Sequence, residues 1–410
     1  MKFKTMEKIL NLALRKKGLS VYAFIICIFM LSNPVSAQPS KALGEHIPLK
    51  ASSYALDFIG SAEFPTTKDN AFIGISGLDY SKKDDIFYAI SDDTNYSNAR
   101  FYKLKINYND KDDRFSVQLK ERVDLYTSKG DLLDEYGKVD FEAITLLPGG
   151  SLLISSEEDY TTAEVFPSFW EFNKKGKFKY DFNLPSRFNN DMKKHLNKTG
   201  KKTFRGCSYN GAFESLITLA SSTVSNVMLA GLTEHPLLQD QKTGCSRFSI
   251  FKKGRKSLDL TAEYAYPVSL LEKSLVKGAK KINTGVSDIL EMGPNSYLSI
   301  ERSYVLYKGK KDPLSVIRIY HFWMDSDTTN IVSQDKMDDD VVPLRKELVL
   351  DLLDVRGDNG QKYNIYNFEA FERGPKYKGK DTIVLVNDNG DNIDLSTQFL
   401  FFALNEHRLN

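Results

Sequence analysis

The chain has 410 residues and a nearly balanced charge, with 56 lysine and arginine residues against 54 aspartate and glutamate residues. This balance excludes a strongly basic nucleic-acid-binding protein, and a hydrophobic content of 41% excludes a largely disordered chain. Aromatic residues make up 12% of the chain, and this enrichment favours β-strands over helical bundles.

Residues 1–37 have the pattern of a secretory signal peptide. Six basic residues and one acidic residue precede an apolar run over 21–31, and small residues follow up to Ala37. The run is shorter than the roughly 18 residues that usually span a membrane, which favours cleavage over an uncleaved membrane anchor. We therefore predict a secreted or periplasmic protein without stable membrane insertion after cleavage near Ala37, and 38–51 as its N-terminal segment.

Removal of the signal peptide changes the charge and leaves two cysteines. The remaining chain has three more acidic than basic residues, so the positive excess belongs to the signal peptide. Cys207 and Cys245 either form a disulfide in an oxidising compartment or remain two buried thiols, and the sequence favours neither arrangement.

A weak internal repeat runs through the rest of the chain. Each copy begins with an apolar and acidic motif, passes through a turn and ends in a strand-like run that finishes with acid or amide side chains. The motifs are centred on positions 77, 142, 214, 288 and 369. The pattern predicts an all-β fold, a single-domain β-propeller of five or six blades over 52–405, with a pair of β-sandwiches as the alternative.

The sequences at both ends of this domain predict strands. Residues 54–58 and 398–404 are predicted to pair in one blade, which closes the ring and removes exposed sheet edges. The intervals between motifs exceed the usual 40–50 residues of a blade, so some blades must carry long insertions. The candidate insertions are 186–206, 236–247, 268–281 and 325–345.

Acidic residues recur in the motifs, and the loops on one face of a propeller converge on its centre. The motif acids are Asp79, Glu142, Glu214, Asp288 and Glu369, and the acids at the ends of the following strands are Asp92, Glu157, Glu301 and Asp388. Clustered carboxylates need neutralisation by a cation or by arginine, and oxygen ligands favour Ca²⁺, with Mg²⁺ the weaker candidate. The alternative is that these acids accept backbone hydrogen bonds and hold one blade to the next.

Arginines near the motifs are candidates for binding an anionic substrate, and we select Arg100 and Arg302.

The sequence does not contain the motifs of other common catalytic or nucleotide-binding sites. The five histidines are scattered without zinc spacing, and there is no Gly-x-Ser-x-Gly turn, Walker loop or dinucleotide-binding motif.

The ordered motifs resemble the bacterial extracytoplasmic family described as "esterase-like activity of phytase", a relative of the β-propeller phytases. The matching segments include Gly74–Tyr80, Phe87–Asp93, Asp140–Ile144, Asn210–Leu216, Ser299–Arg302 and Asn367–Ala370. The glycine that usually follows the motif glutamate is replaced here by Ala143, Ser215 and Ala370. The resemblance implies a secreted propeller, hydrolysis of phosphoesters or other esters, and a site built on the acidic motifs.

Two functional hypotheses follow. The first is a calcium-assisted hydrolase of a small anionic substrate, monomeric and without a nucleic-acid partner. Its predicted catalytic residues are Glu142, Glu214 and Glu369, its substrate-binding residues Arg100 and Arg302, and its metal ligands Asp79, Asp92, Asp140, Glu157, Glu301 and Asp388. The second hypothesis is a non-catalytic, calcium-stabilised propeller that binds a ligand or a protein partner.

Overall fold

Strands dominate the computed structural model. The model describes residues 53–67, 70, 72–93, 98–133, 139–157, 166–190, 205–309, 313–357, 360–363, 365–390 and 395–406. The predicted signal peptide and the segment 38–51 lie outside these residues. A short 3-10 helix spans Leu352–Asp354. Over the described ranges, no helix has both the length and the apolar character needed to cross a bilayer.

Twenty strands form five antiparallel sheets of four strands in the described part of the chain. The first sheet contains β2 (Ile75–Ser81), β3 (Ile86–Ser91), β4 (Arg100–Asn109) and β5 (Arg114–Asp124). The second contains β6 (Phe141–Leu146), β7 (Leu152–Ser156), β8 (Ser168–Phe172) and β9 (Phe178–Asn183). The third contains β10 (Phe213–Thr218), β11 (Val227–Thr233), β12 (Cys245–Lys253) and β13 (Leu258–Pro267).

The last two sheets complete the ring. The fourth contains β14 (Ala279–Gly293), β15 (Ser296–Tyr307), β16 (Leu314–Trp323) and β17 (Arg345–Asp351). The fifth contains β18 (Asn367–Arg373), β19 (Thr382–Asp388), β20 (Thr397–Glu406) and β1 (Tyr54–Phe64). The first strands of successive sheets contact one another around the centre, so the protein is a five-bladed β-propeller.

The ring closes as the sequence predicts. The N-terminal strand β1 pairs antiparallel with β20, from Tyr54 opposite Glu406 to Phe64 opposite Thr397. One blade therefore contains strands from both ends of the domain, and β1 pairs with the outer side of β20, which would otherwise be an unpaired edge.

Burial explains why the inner and outer strands of a blade have different sequence patterns. Inner strands pack against neighbouring blades on both faces, so β7 and β19 are buried along their whole length and contain mainly apolar residues. The outer strand β5 alternates buried and exposed positions, because only one of its faces packs against the core.

Every innermost strand has a register irregularity in its pairing with the second strand. One shift recurs at an equivalent place in all five blades, at Ser76, Glu142, Glu214, Ser287 and Glu369, and β14 has two further shifts. A β-bulge redirects the side chain of the extra residue, and bulges are common next to active sites. Three glutamates therefore share one structural position with two serines.

The predicted insertion 325–345 connects β16 to β17 and covers the third blade. Its Ile331 N–H donates to Glu263 O at 2.8 Å, and the N–H of Leu344 donates to Ala265 O at 2.9 Å. Cys207 and Cys245 are both buried and form no disulfide with each other. Of the two arrangements that the sequence left open, the structure therefore has the unbonded one.

Candidate functional site

The site begins with the three glutamates at the bulges of β6, β10 and β18. Glu142, Glu214 and Glu369 are only 5%, 3% and 4% exposed. Because the five inner strands run side by side around the centre, residues at their bulges approach one another. The structure thus brings together the three residues that the sequence predicts as catalytic.

A second set of charged residues lies in or directly after the second strand of each blade. In each blade, one residue of the second strand pairs with the residue before the bulge, and the charged residue comes directly after it. In four blades this residue is an acid, and in the fourth blade it is an arginine. The residues are Asp92, Glu157, Glu234, Arg302 and Asp388. The site therefore consists of acids from the first, second, third and fifth blades and one cation from the fourth.

Carboxylates from these two sets, together with Asp140, form two compact groups. In the first, one oxygen each of Asp92, Glu369 and Asp388 lies within 4.8 Å of the others. In the second, Asp140, Glu142 and Glu157 satisfy the same limit. Five of these six side chains are buried, and Asp92 is half-buried. We call them the Asp388 group and the Glu142 group.

The electrostatics of the Glu142 group are unfavourable without a cation. Burial raises the pKa of Glu142 well above its usual range, and the carboxylates of Glu214, Asp140 and Asp92 add to the shift. Burial also raises the pKa of Glu214, next to Glu234 and Glu157. Like charges at this distance must share protons or be neutralised by a bound cation.

In the Asp388 group, burial raises the pKa of Glu369 to about 8, although the positive charge of Arg302 opposes the shift. Burial also raises the pKa of Asp388, while hydrogen bonds from Gly390 and Asn367 oppose it. Asn367 Nδ2 donates to Glu369 Oε1 at 2.7 Å and to Asp388 Oδ2 at 2.8 Å. One amide therefore bridges two members of the group.

Arg302 is the cation of the site. Its Nη2 lies 3.0 Å from Glu234 Oε1, and its Nη1 donates to Glu369 and, at 3.1 Å, to Asn367 Oδ1. The guanidinium also lies over the Tyr304 ring, 5.0 Å from its centroid. Arg302 therefore reaches the site predicted from the sequence, where it joins the third and fifth blades.

His235 is a residue that sequence reasoning misses. Its Nδ1 lies 2.6 Å from Glu234 Oε2, and its Nε2 lies 3.0 Å from Asn283 Oδ1. Burial lowers the pKa of His235, but Glu234 and Asn283 outweigh it, and the pKa rises. Glu234 was also missing from the predicted site. Its position after a strand-like run, the position that Glu157 occupies in its own copy of the repeat, was the available signal.

Two predicted residues lie outside this arrangement, each in a buried ion pair. Arg100 is fully buried; its Nη2 lies 2.8 Å from Asp93 Oδ2, and its Nε donates to the Tyr102 hydroxyl. Glu301 accepts a hydrogen bond from the Tyr266 hydroxyl at 2.8 Å and pairs with Lys346. It precedes Arg302 by one residue, and adjacent residues of a strand point to opposite faces.

Asp79 and Asp288 also lie outside the two carboxylate groups. Asp79 Oδ2 accepts a hydrogen bond from the N–H of Leu146 in the next blade and another from Thr145 Oγ1 at 3.2 Å. Asp288 Oδ2 accepts a hydrogen bond from Phe371 N–H of the following blade at 3.0 Å. These two carboxylates connect neighbouring inner strands, which is the structural role that the sequence left open.

The donor sets of both groups fit a hard divalent cation. Each consists of carboxylate oxygens alone, and their burial leaves several negative charges in a small volume. Calcium and magnesium prefer such oxygen ligands, whereas zinc favours histidine and cysteine. The acidic groups can therefore bind a metal ion.

With the fold and this geometry established, comparison with known proteins identifies the family. The family model of phytase-like proteins, described as esterase-like activity of phytase, matches residues 70–391. This chain belongs to that family. No curated protein matches the chain.

Solved structures with similar folds are distant. An endo-arabinase from Bacteroides thetaiotaomicron VPI-5482 is 12% identical, with 85% of this chain and 98% of that chain covered and a TM-score of 0.38. A GH43 β-1,3-galactosidase is also 12% identical, with 85% and 60% covered and a TM-score of 0.40.

Proposed function

We propose that this chain is an extracytoplasmic, calcium-assisted hydrolase of phosphoesters or other esters that acts on a small anionic substrate. The observation that carries the proposal is the convergence of the Asp388 and Glu142 groups beside Arg302. The family's description supports hydrolysis, and the pattern of residues 1–37 supports export. The proposed protein is a monomer and has no nucleic-acid partner.

The two groups would hold the cations. Asp92, Glu369 and Asp388 would bind one ion, and Asp140 and its neighbours in the Glu142 group would bind a second. A bound cation supplies charge that stabilises a phosphoryl or carbonyl oxygen and lowers the pKa of a coordinated water.

The chain's own residues supply the remaining functions. The Arg302 guanidinium is planar and matches the oxygens of a phosphate or carboxylate. The Glu214 carboxylate makes no hydrogen bond with any residue in the described ranges, and its raised pKa suits it to take a proton from water. Hydrolysis would then add this water to the phosphorus or carbonyl carbon, and the leaving alcohol would depart with a proton.

The decisive experiment is an assay of the exported form on phytate and on a simple phosphomonoester, with calcium or with EDTA. We expect calcium-dependent turnover that falls at least about a hundredfold in Glu142→Gln and Glu369→Gln. Glutamine keeps the size of the side chain and mimics its protonated form. Glu121→Gln is the matched control, because that exposed carboxylate on β5 pairs only with Lys103 among the described residues.

The same assay tests the non-catalytic alternative. Asp79 and Asp288 show that some acids of this ring hold blades together. A protein that calcium stabilises against heat, but that hydrolyses none of the esters, would be a ligand-binding propeller. Calcium-independent turnover, or unchanged turnover in both folded glutamine variants, would contradict the proposed site.

A further inference from the structure

Arg302 breaks the pattern of its structural position. The other four blades place Asp92, Glu157, Glu234 and Asp388 there, and each of those side chains adds a negative charge to the site. In the fourth blade the same position carries a guanidinium, whose side chain is only 10% exposed. The substitution changes a like charge into a counter-ion at the centre of the acidic ring.

The guanidinium binds a carboxylate that a metal ion would also need. Glu369 Oε1 accepts hydrogen bonds from Arg302 and, at 2.7 Å, from Asn367. The same carboxylate belongs to the Asp388 group, whose ligand oxygens all lie within 4.8 Å of one another. A divalent cation in that group would therefore compete with Arg302 for Glu369 and would repel its positive charge.

Arg302 has a second anchor that does not belong to either carboxylate group. Its Nη2 is held 3.0 Å from Glu234, and Glu234 is itself held 2.6 Å from His235. Gly285 makes this contact possible, because a Cβ atom there would lie 2.5 Å from Glu234 Cγ. A guanidinium that leaves Glu369 thus remains attached to Glu234, with its other nitrogens facing the acidic ring.

We infer that Arg302 is a built-in counter-ion that a divalent cation displaces from Glu369, and that the released guanidinium then binds an oxyanion. This inference rests on the proposed function, since it assigns the cation-linked anion contact of that site. Reciprocity follows, because a cation that favours anion binding must itself bind more tightly when the anion is present.

Calorimetric titration of calcium into the exported form measures the competition without any turnover. Arg302→Met removes the competing charge, and we expect calcium to bind roughly tenfold more tightly, since hydrogen bonds to charged groups contribute on this scale. Arg302→Lys keeps the charge but cannot bridge two carboxylates, so the calcium affinity of this variant should lie between those of the wild type and Arg302→Met. Arg318→Met is the matched control, because Arg318 also pairs with two carboxylates, Glu272 and Asp351, on the same blade.

The second measurement uses inorganic sulfate as the oxyanion, since it is less prone than phosphate to precipitate with calcium. We expect calcium to strengthen sulfate binding by about tenfold in the wild type and in Arg318→Met. In Arg302→Met this gain should fall below about threefold, because only direct contact between the ions remains.

Calcium affinity in Arg302→Met that is unchanged or weaker than that of the wild type would overturn the inference, as would a full calcium-linked gain in sulfate binding. If Arg302→Met does not fold, an Arg302→Lys protein with wild-type affinity has the same consequence. These outcomes can be distinguished from the outcomes that test the proposed function. Linked binding without ester hydrolysis would contradict hydrolysis alone, and hydrolysis without linked binding would contradict the role of Arg302 alone.

Discussion

Replacement of Asp79 by asparagine separates a structural carboxylate from a metal ligand. The sequence predicts Asp79 as a ligand, whereas the structure shows it accepting hydrogen bonds from Leu146 and Thr145 of the next blade. Burial raises its pKa from 3.8 to about 6, although these hydrogen bonds oppose the shift. Asparagine retains an acceptor oxygen and cannot ionise.

The magnitude follows from that pKa. A carboxyl with a raised pKa in the folded state stabilises the protein below pH 3.8, and this contribution is lost as the pH rises through about 6. A shift of two pKa units corresponds to a change of at most about 3 kcal/mol in the free energy of unfolding. Replacement of the carboxyl group by an amide loses about 1 kcal/mol of hydrogen-bond stabilisation. Asp79→Asn should therefore be about 1 kcal/mol less stable near pH 4 and about 2 kcal/mol more stable above pH 7.

Urea unfolding in EDTA at several pH values measures this crossover, and a calcium titration of the same variant tests ligation. Asp388→Asn is the comparison, because Asp388 lies in a carboxylate group and Asp79 does not. We expect calcium affinity to fall in Asp388→Asn and to change less than about twofold in Asp79→Asn. Loss of calcium affinity in both variants, without a pH-dependent gain in stability at position 79, would refute the structural assignment.

Three further predictions concern charge in the core and in the site. Glu214→Gln should stabilise the calcium-free protein above pH 7 by about 1 kcal/mol in urea unfolding, because a carboxylate with a raised pKa is removed; lower stability would contradict this. Calcium affinity should rise between about pH 6 and 9, because binding displaces the proton of Glu369, whose pKa is about 8. Calorimetry in buffers of different ionisation enthalpy counts the released proton. A calcium affinity that does not change with pH would argue against Glu369 as a ligand. Arg247→Met should lower the free energy of unfolding by about 3–5 kcal/mol in urea unfolding, because it leaves Asp240 buried without an arginine and Glu263 with Arg187 alone. The variant Arg345→Met, at an exposed position, serves as control.

The sequence was sufficient for the architecture. Apolar runs separated by turn residues predicted short strands, and their recurrence around acidic motifs predicted a propeller whose ends meet in one blade. The structure confirms the propeller, the pairing of β1 with β20 and, within the described residues, five blades. These features depend on local periodicity and on the need to bury sheet edges, and both are properties of the linear chain.

Part of the site could also be read from the sequence. Glu142, Glu214 and Glu369 each follow a phenylalanine in a similar motif, and the structure places all three at the bulges of inner strands. In the first and fourth blades the motif acids are Asp79 and Asp288, but the bulge positions belong to Ser76 and Ser287. The sequence motif and the structural position differ there by one to three residues.

Only the tertiary structure decided which charged side chains meet. Sequence spacing selected Glu301, yet the strand register directs Arg302 into the ring and sends Glu301 to Lys346. Arg100 seemed a substrate ligand because it follows a motif, but it is buried against Asp93. The physical reason is the two-residue period of a strand, in which a shift of one residue moves a side chain to the opposite face. Composition and periodicity therefore determined the propeller and its acidic character, whereas bulges and register determined which carboxylates share a site and which cation stands among them.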